Sequence, residues 1–477
     1  MSTKKNTLYN MAYRTFSVFL PLATAPYLSR TCGTTGVGLY SHAWNINYVF
    51  WLIGLLGLEN YGVRAIARER NQQDSLNRTF SSIWRMQRWV ASAALAAYVL
   101  YAILLRGAEQ PIALSLIMTS LSCLINLDWC LMGLDEFRLI AIRNTAVKLC
   151  ATASVFLFVH SAEDLWIYGL CWSLATLAGC IMCAVSLRGR VKKVPVTLKE
   201  SFRHLRPCAV LFLAVLAVSV YRTMDKVMVG SLAGMDENGL YEDAEKIIYC
   251  LSGFISAFGT VMMPKVSHMW KEGRKEAVQH AVERSMHLVM AMVCAMAFGV
   301  AAVARVFAPL FYGDAFIRSG DLMIPLAFSL VMIGFANVIR THWVLPIQRD
   351  KIVLRSVCTG AIVNLIANTI MIPGMGAMGA VVGTLLAEFS VPFVQWMHLR
   401  RELDYRRYLL ILCEYTVIGF LMFLAVRFLL SSLHDGWVPM LFSACAGAVL
   451  YAVLCMILWK ATGNQSILRL FRRSRMG

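Results

Sequence analysis

The amino-acid sequence predicts an all-α polytopic membrane protein of about fourteen helices, and three observations predict it. The first is composition: 58% of the 477 residues are hydrophobic, mean hydropathy is +0.62, and 15% are charged, against roughly 25% in a soluble domain. The second is recurrence, since apolar runs of roughly 20 residues follow one another along the chain, each able to cross a hydrocarbon core of ~30 Å as a helix. The third is that no segment between them exceeds about 20 residues, too short for a separate soluble domain.

Taken in order, span 1 occupies about 8–28 and follows Lys4 and Lys5. Its small-residue ATA at 23–25 has the form of a cleavage site, but Pro26 follows directly and Arg14 interrupts the apolar run, so an uncleaved span is expected. Spans 2 to 6 fall at 38–60, 79–105, 112–133, 144–160 and 165–187. The basic stretch RGRVKKVPVTLKESFRHLR at 188–206 separates them from spans 7 to 12, at 207–229, 239–270, 286–308, 321–347, 352–373 and 376–398. After RRELDYRR at 400–407 come spans 13 and 14, at 408–430 and 437–459, and a basic tail.

The net charge of +18 follows from orientation. With the N-terminus inside, about 30 Lys and Arg fall in cytoplasmic stretches and about 3 (Arg30, Arg106, Arg318) outside, as the positive-inside rule requires. Both termini are therefore expected in the cytoplasm, with membrane lipid rather than nucleic acid as the partner of the basic segments. The fourteen cysteines lie mostly within spans and imply no disulfide framework. There is no P-loop, no HExxH and no paired CxxC, so no metal and no cofactor is expected. No loop could house a catalytic domain, which points to a transporter rather than an enzyme.

The chain also repeats. GLYSHAWNI at 38–46 and GLYEDAEKI at 239–247 share Gly, Leu, Tyr, Ala and Ile, 201 residues apart. The same offset carries spans 1, 2 and 3 onto 7, 8 and 9, and spans 4 to 6 onto 10 to 12 with a slippage of about ten residues. The expected organisation is a six-helix half at 1–190, a basic linker at 191–206, a second six-helix half at 207–399, and an appended pair with the basic tail at 400–477. An even number of spans per half relates the halves by an axis along the membrane normal, a transporter layout.

About a dozen basic residues fall inside spans, where each would cost roughly 2.5–3.5 kcal/mol facing lipid at mid-bilayer. Several lie close enough to a span end to snorkel. Arg14, Lys148, Arg222 and Arg340 are the better candidates for lining a cavity. In span 7, Arg222, Asp225 and Lys226 share one face through i, i+3 and i+4 spacing, and span 8 opens with Glu242, Glu245 and Lys246. Two readings stay open for these charges: an ion-pair network that holds the helices, or a gate whose charges change partners. Glu388, in the middle of span 12, is a further functional candidate by its position.

The segments NxxYRTFSVFLPLATAPYLSRTCGTTGVGLYSHAWNI at 10–46, LGLENYGVRAIARER at 56–70, YRTMDKVMVGSLAGMDENGLYEDAEKI at 221–247 and GMGAMGAVVGTLLAE at 374–388 carry a family resemblance. The chain resembles the Wzx-type polysaccharide repeat-unit flippases of the multidrug/oligosaccharidyl-lipid/polysaccharide exporter superfamily, over nearly its whole length. The resemblance implies two six-helix lobes in a V and residence in a bacterial inner membrane. It also implies a substrate of oligosaccharide joined by diphosphate to undecaprenol, turned from the cytoplasmic to the outer leaflet. A polysaccharide polymerase and a chain-length regulator are the partners it implies. Arginine forks suit the diphosphate, and Trp44, Asn45 and Asn47 of the first repeat copy are expected to offer sugar contacts. Alternatives are a lipid II flippase and a MATE-like multidrug antiporter, although so many buried cations line an organic-cation path poorly. A membrane-bound acyltransferase would need a reactive mid-membrane His, and none is evident.

Overall fold

The first helix is longer than any one crossing needs. In the computed structural model α1 (Thr3–Leu55) has 53 residues, about 80 Å at 1.5 Å per residue. It is not one rod: Gly33 has φ 66° and ψ −174°, and this break lets a single run of helix supply two spans. The structure describes the backbone of residues 3–433 and 436–462, and side chains within those ranges except at 3–21, 214, 215, 217, 218, 220, 221 and 261. The Arg14 side chain and the basic tail therefore lie outside the described residues.

Two compact units divide the chain, Met1–Gly239 and Leu240–Gly477. The first continues with α2 (Leu58–Glu69), α3 (Gln73–Leu104), α4 (Glu109–Ser115), α5 (Ile117–Ser122), α6 (Asp128–Gly133), α7 (Phe137–Phe158), α8 (Leu165–Ser186), α9 (Leu198–Phe202) and α10 (Leu205–Ala233). The second is built from the body of α11 (Met235–Lys271), then α12 (Lys275–Tyr312), α13 (Ile317–Leu326), α14 (Ser329–Ile339), α15 (Asp350–Met375), α16 (Ala377–Leu399), α17 (Tyr405–Ser432) and α18 (Trp437–Ala461). Among the described residues there is no strand.

Eleven helical stretches among the described residues are long and apolar enough to cross a membrane, so this is a multi-pass membrane protein. The count covers the described residues alone, and two features of the fold also separate it from fourteen. Two expected spans run together through α1 and α2, and the fourth is broken into α4, α5 and α6.

The broken fourth span explains much of the packing in the first unit. A helix interrupted in an apolar medium loses the regular pattern of backbone donors to its carbonyls, and side chains supplement it. Tyr98 Oη donates to the Ala113 carbonyl at 2.8 Å, Ser173 Oγ to Ser115 at 2.7 Å, and Asn47 Nδ2 to Leu116 at 3.3 Å. Gln87 Nε2 donates to Cys123 and Asn126 at 2.7 and 2.8 Å, and Trp84 Nε1 to Leu124 at 3.1 Å. Side chains from α1, α3 and α8 thus cover the break.

In the second unit the appended pair docks on α12 through Tyr415. Its hydroxyl accepts from Trp459 Nε1 at 2.7 Å and lies 3.2 Å from His287 Nδ1, while Tyr451 Oη donates to the Ala291 carbonyl at 2.8 Å. Helices α15 and α16 pack closely because Gly379 and Gly383 leave room: a Cβ would come within 2.6 Å of Met371 backbone and 2.0 Å of the Asn368 amide oxygen. The π-helical turn Arg340–Val344 follows α14.

Candidate functional site: the paired GLY motifs and the buried charges

The two repeated motifs begin on facing backbones. A Cβ on Gly38 would lie 1.8 Å from the Met235 carbonyl oxygen, and one on Gly239 2.0 Å from that of Thr34. Neither position admits another residue without moving backbone, which explains why both copies open on glycine. Polar groups rim this seam. Asp236 Oδ1 accepts from Thr34 Oγ1 at 2.8 Å and from Thr35 Oγ1 at 2.5 Å, and Asn238 Nδ2 donates to the Gly38 carbonyl at 2.9 Å.

One turn further into the first copy, His42 is buried and its Nδ1 lies 2.5 Å from Glu109 Oε1, itself buried at the start of α4. The other ring nitrogen lies 3.0 Å from Ser231 Oγ. The repeat carries His42 onto Asp243, which is fully buried in the second unit. Asp243 Oδ1 accepts from Lys246 Nζ at 2.8 Å, and Glu242 Oε1 stands 3.6 Å from the same ammonium. Tyr312 Oη and Ser319 Oγ donate to the carbonyls of Asp243 and Leu240 at 3.0 and 2.9 Å, fixing the first turns of this copy against α12 and α13. A partly buried ion pair in the first unit is bidentate: Arg143 donates to Asp128 at 2.6 and 2.8 Å.

The other residues singled out in the sequence take distinct places. Arg222 is exposed, Asp225 buried and Lys226 half-buried, each engaged in an interaction. Lys148, Arg340, Glu245 and Glu388 are half-buried and likewise engaged, with Arg340 opening the π-helical turn, a feature frequent at functional sites. Trp44 is half-buried and stacked on Tyr40, ring centroids 6.2 Å apart at 19°. Asn45 is buried and donates to the Ser41 carbonyl at 2.7 Å. Asn47, with no exposed surface, also donates to Ser120 Oγ at 2.9 Å. Among the described residues no group of His, Cys, Asp and Glu is arranged to hold a metal.

Sequence reasoning missed His42, Glu109, Asp236 and the Arg143–Asp128 pair. For His42 a signal existed, since the repeat offset aligns it with the charged Asp243. Glu109 stands in a loop by hydropathy, and Arg143 at a loop edge, so neither announces its partner.

The model of a family described as polysaccharide biosynthesis protein matches residues 3–270. A putative O-antigen transporter of Shigella dysenteriae is 22% identical over 404 residues, 81% of this chain and 98% of that protein. The probable low-salt glycan biosynthesis flippase Agl15 of Haloferax volcanii is 24% identical over 248 residues, 51% of each chain. Among solved structures, the lipid II flippase MurJ in an inward closed conformation superposes with a TM-score of 0.78 at 13% identity, covering 96% of this chain and all of that one. An inward-facing MATE family multidrug transporter of the MOP superfamily gives 0.59 at 14% identity, over 84% of this chain and 95% of its own. At such identities the likeness is one of fold.

Proposed function

Since the chain belongs to the polysaccharide biosynthesis protein family, which covers more than half of its length, we propose that it is a flippase for lipid-linked oligosaccharide. It carries undecaprenyl-diphosphate-linked repeat units from the cytoplasmic to the outer leaflet of a bacterial inner membrane, for O-antigen, capsule or exopolysaccharide assembly. One observation carries this reading: a chain aligned with nearly all of a putative O-antigen transporter adopts, over 96% of its length, the fold of a lipid II flippase. Two six-helix lobes, 1–190 and 207–399, joined by the basic linker 191–206 and followed by the pair and tail at 400–477, work by alternating access.

Arg14, Lys148, Arg222 and Arg340 attract the diphosphate, which otherwise crosses a low-dielectric region uncompensated. The stacked Tyr40 and Trp44 rings offer an apolar face to a pyranose, while Asn45 and Asn47 position that helix. Asp225, Lys226, Glu242, Glu245, Lys246 and Glu388 form the charge gate. Neutralising Glu245 and Lys246 together slows export; unaltered export would remove the gate. Downstream, a polymerase and a chain-length regulator take up the product.

The test is the sidedness of lipid-diphosphate-linked oligosaccharide in a deletion strain, with and without Arg14→Ala and Arg222→Ala complements. Accumulation on the cytoplasmic leaflet, unrelieved by those variants, is the expected result. Normal outward display without the protein would end this reading; accumulated peptidoglycan precursor would favour a lipid II flippase, and altered drug sensitivity a multidrug antiporter.

A further inference from the structure

At the cytoplasmic end of α3, the chain that follows α8 folds back to form a recess that transport, as described above, does not use. Its floor is Trp84, whose Nε1 is fixed on the Leu124 carbonyl. Two cations sit over this ring: the Arg88 guanidinium 4.7 Å and the Lys193 ammonium 4.2 Å from its centroid. No more than the sum of those distances separates them. Arg85, held on the Val196 carbonyl, and Ser81 complete the polar lining.

No carboxylate lines the recess, and the neighbourhood makes this informative. Arg70 pairs with Asp135, Arg78 with Glu200 and Arg190 with Glu136, so this end of the unit supplies acids to three neighbouring cations. Arg88 and Lys193 have no carboxylate partner among the described residues, and a ring face is a weak substitute for one. Like charges held close at an interface call for an anion from outside.

The recess also has a direction. Beside Arg88, α3 carries an exposed stripe through Trp89, 57% exposed, Leu100, 59%, Ile103, 59%, and Leu104, 69%. Side chains at this helical spacing share one face. An apolar stripe of that length faces lipid, and Trp89 stands where tryptophans mark the water boundary. The recess therefore opens sideways, at headgroup depth, rather than into a loop.

We propose that this recess binds the phosphate of an anionic phospholipid in the cytoplasmic leaflet, gripped by Arg88 and Lys193 and steadied by Arg85, with its acyl chains along the α3 stripe. A free phosphate has no use for that stripe, which decides between the two sources.

The test is native mass spectrometry of the full-length protein titrated with phosphatidylglycerol, with phosphatidylcholine and inorganic phosphate as comparison arms. Wild type retains phosphatidylglycerol, and the Arg88→Gln/Lys193→Gln double variant loses at least tenfold in retention. Arg188→Gln, an exposed cation of the same basic segment but outside the recess, is unchanged. Should the double variant misfold, Lys193→Gln alone, on an exposed connecting residue, gives a threefold or greater loss. Equal retention by the variants, equal retention of phosphatidylcholine, or saturation by inorganic phosphate at the lipid's concentration each overturns the proposal. Displacement by undecaprenyl diphosphate at lower concentration than phosphatidylglycerol also overturns it, in favour of substrate entry.

Discussion

The two GLY copies solve one problem in two ways. In GLYSHAWNI the buried titratable group is His42, and its partner Glu109 comes from another helix, 67 residues away in sequence. In GLYEDAEKI it is Asp243 at the equivalent position, and its partner Lys246 is one turn along the same helix. The residue differs between the copies, while burial and a close polar partner are kept. The repeat thus preserves a place for a buried polar group and differs in where its partner comes from, because what a low-dielectric site demands is a satisfied partner rather than a particular residue.

The glycines common to both copies are the strongest way to break the comparison. Gly38→Leu and Gly239→Leu drive a side chain into carbonyl oxygens, and surface polysaccharide should fall by on the order of tenfold or more while the protein still reaches the membrane. Gly253→Ala, where a Cβ meets nothing within 4 Å, should stay near wild type in the same assay.

Next in size is the cross-helix pair. Glu109→Gln leaves His42 without its carboxylate and should lower stability by about 2–3 kcal/mol in a detergent melting experiment. His42→Gln combined with Glu109→Gln should cost less than the two singles added, and strict additivity would mean that the pair is not coupled.

A background common to both copies has to be separated from them when pH is varied. His204, in the connector before α10, is buried between Tyr61 and Ser82, and burial, with a smaller contribution from Arg203, pushes its pKa down to about 4. Its contribution is present above the unfolded value near 6.5 and is lost as pH falls through about 4, because the unfolded chain binds the proton first. A loss of roughly 3 kcal/mol between pH 7 and pH 4 is expected, and His204→Gln should flatten that part of the melting-temperature profile. An unchanged profile would place the acid sensitivity elsewhere.

Asp243→Asn should cost less than Glu109→Gln, about 1–2 kcal/mol, because Lys246 keeps Glu242 at 3.6 Å. An equal loss would erase the distinction between a pair within one helix and a pair between two. Smallest is Asp236→Asn at the exposed rim, where a two- to threefold drop in export corresponds to less than about 1 kcal/mol.

Much of this was legible beforehand. The all-helical membrane class, the approximate span count and the GLY repeat follow from hydropathy and spacing, because the bilayer constrains length and apolarity residue by residue. Glycine at 38 and 239 was visible as a shared letter, but not as a backbone contact. Asn47 reads as a polar residue offered to sugar, whereas the structure spends its amide on Leu116 and Ser120. That use could not be anticipated, since hydropathy shows the fourth span as one apolar run and hides the break that makes its carbonyls available.

The sequence by itself determined that this chain lives in a membrane and where its repeated positions fall; each depends on local composition and on a fixed bilayer thickness. Tertiary structure alone decided which buried charge meets which, that Glu109 answers His42 and Asp128 answers Arg143, and that Arg88 and Lys193 are left to a tryptophan ring. Pairing of this kind depends on distances between residues far apart in the chain, and neither periodicity nor hydropathy encodes them.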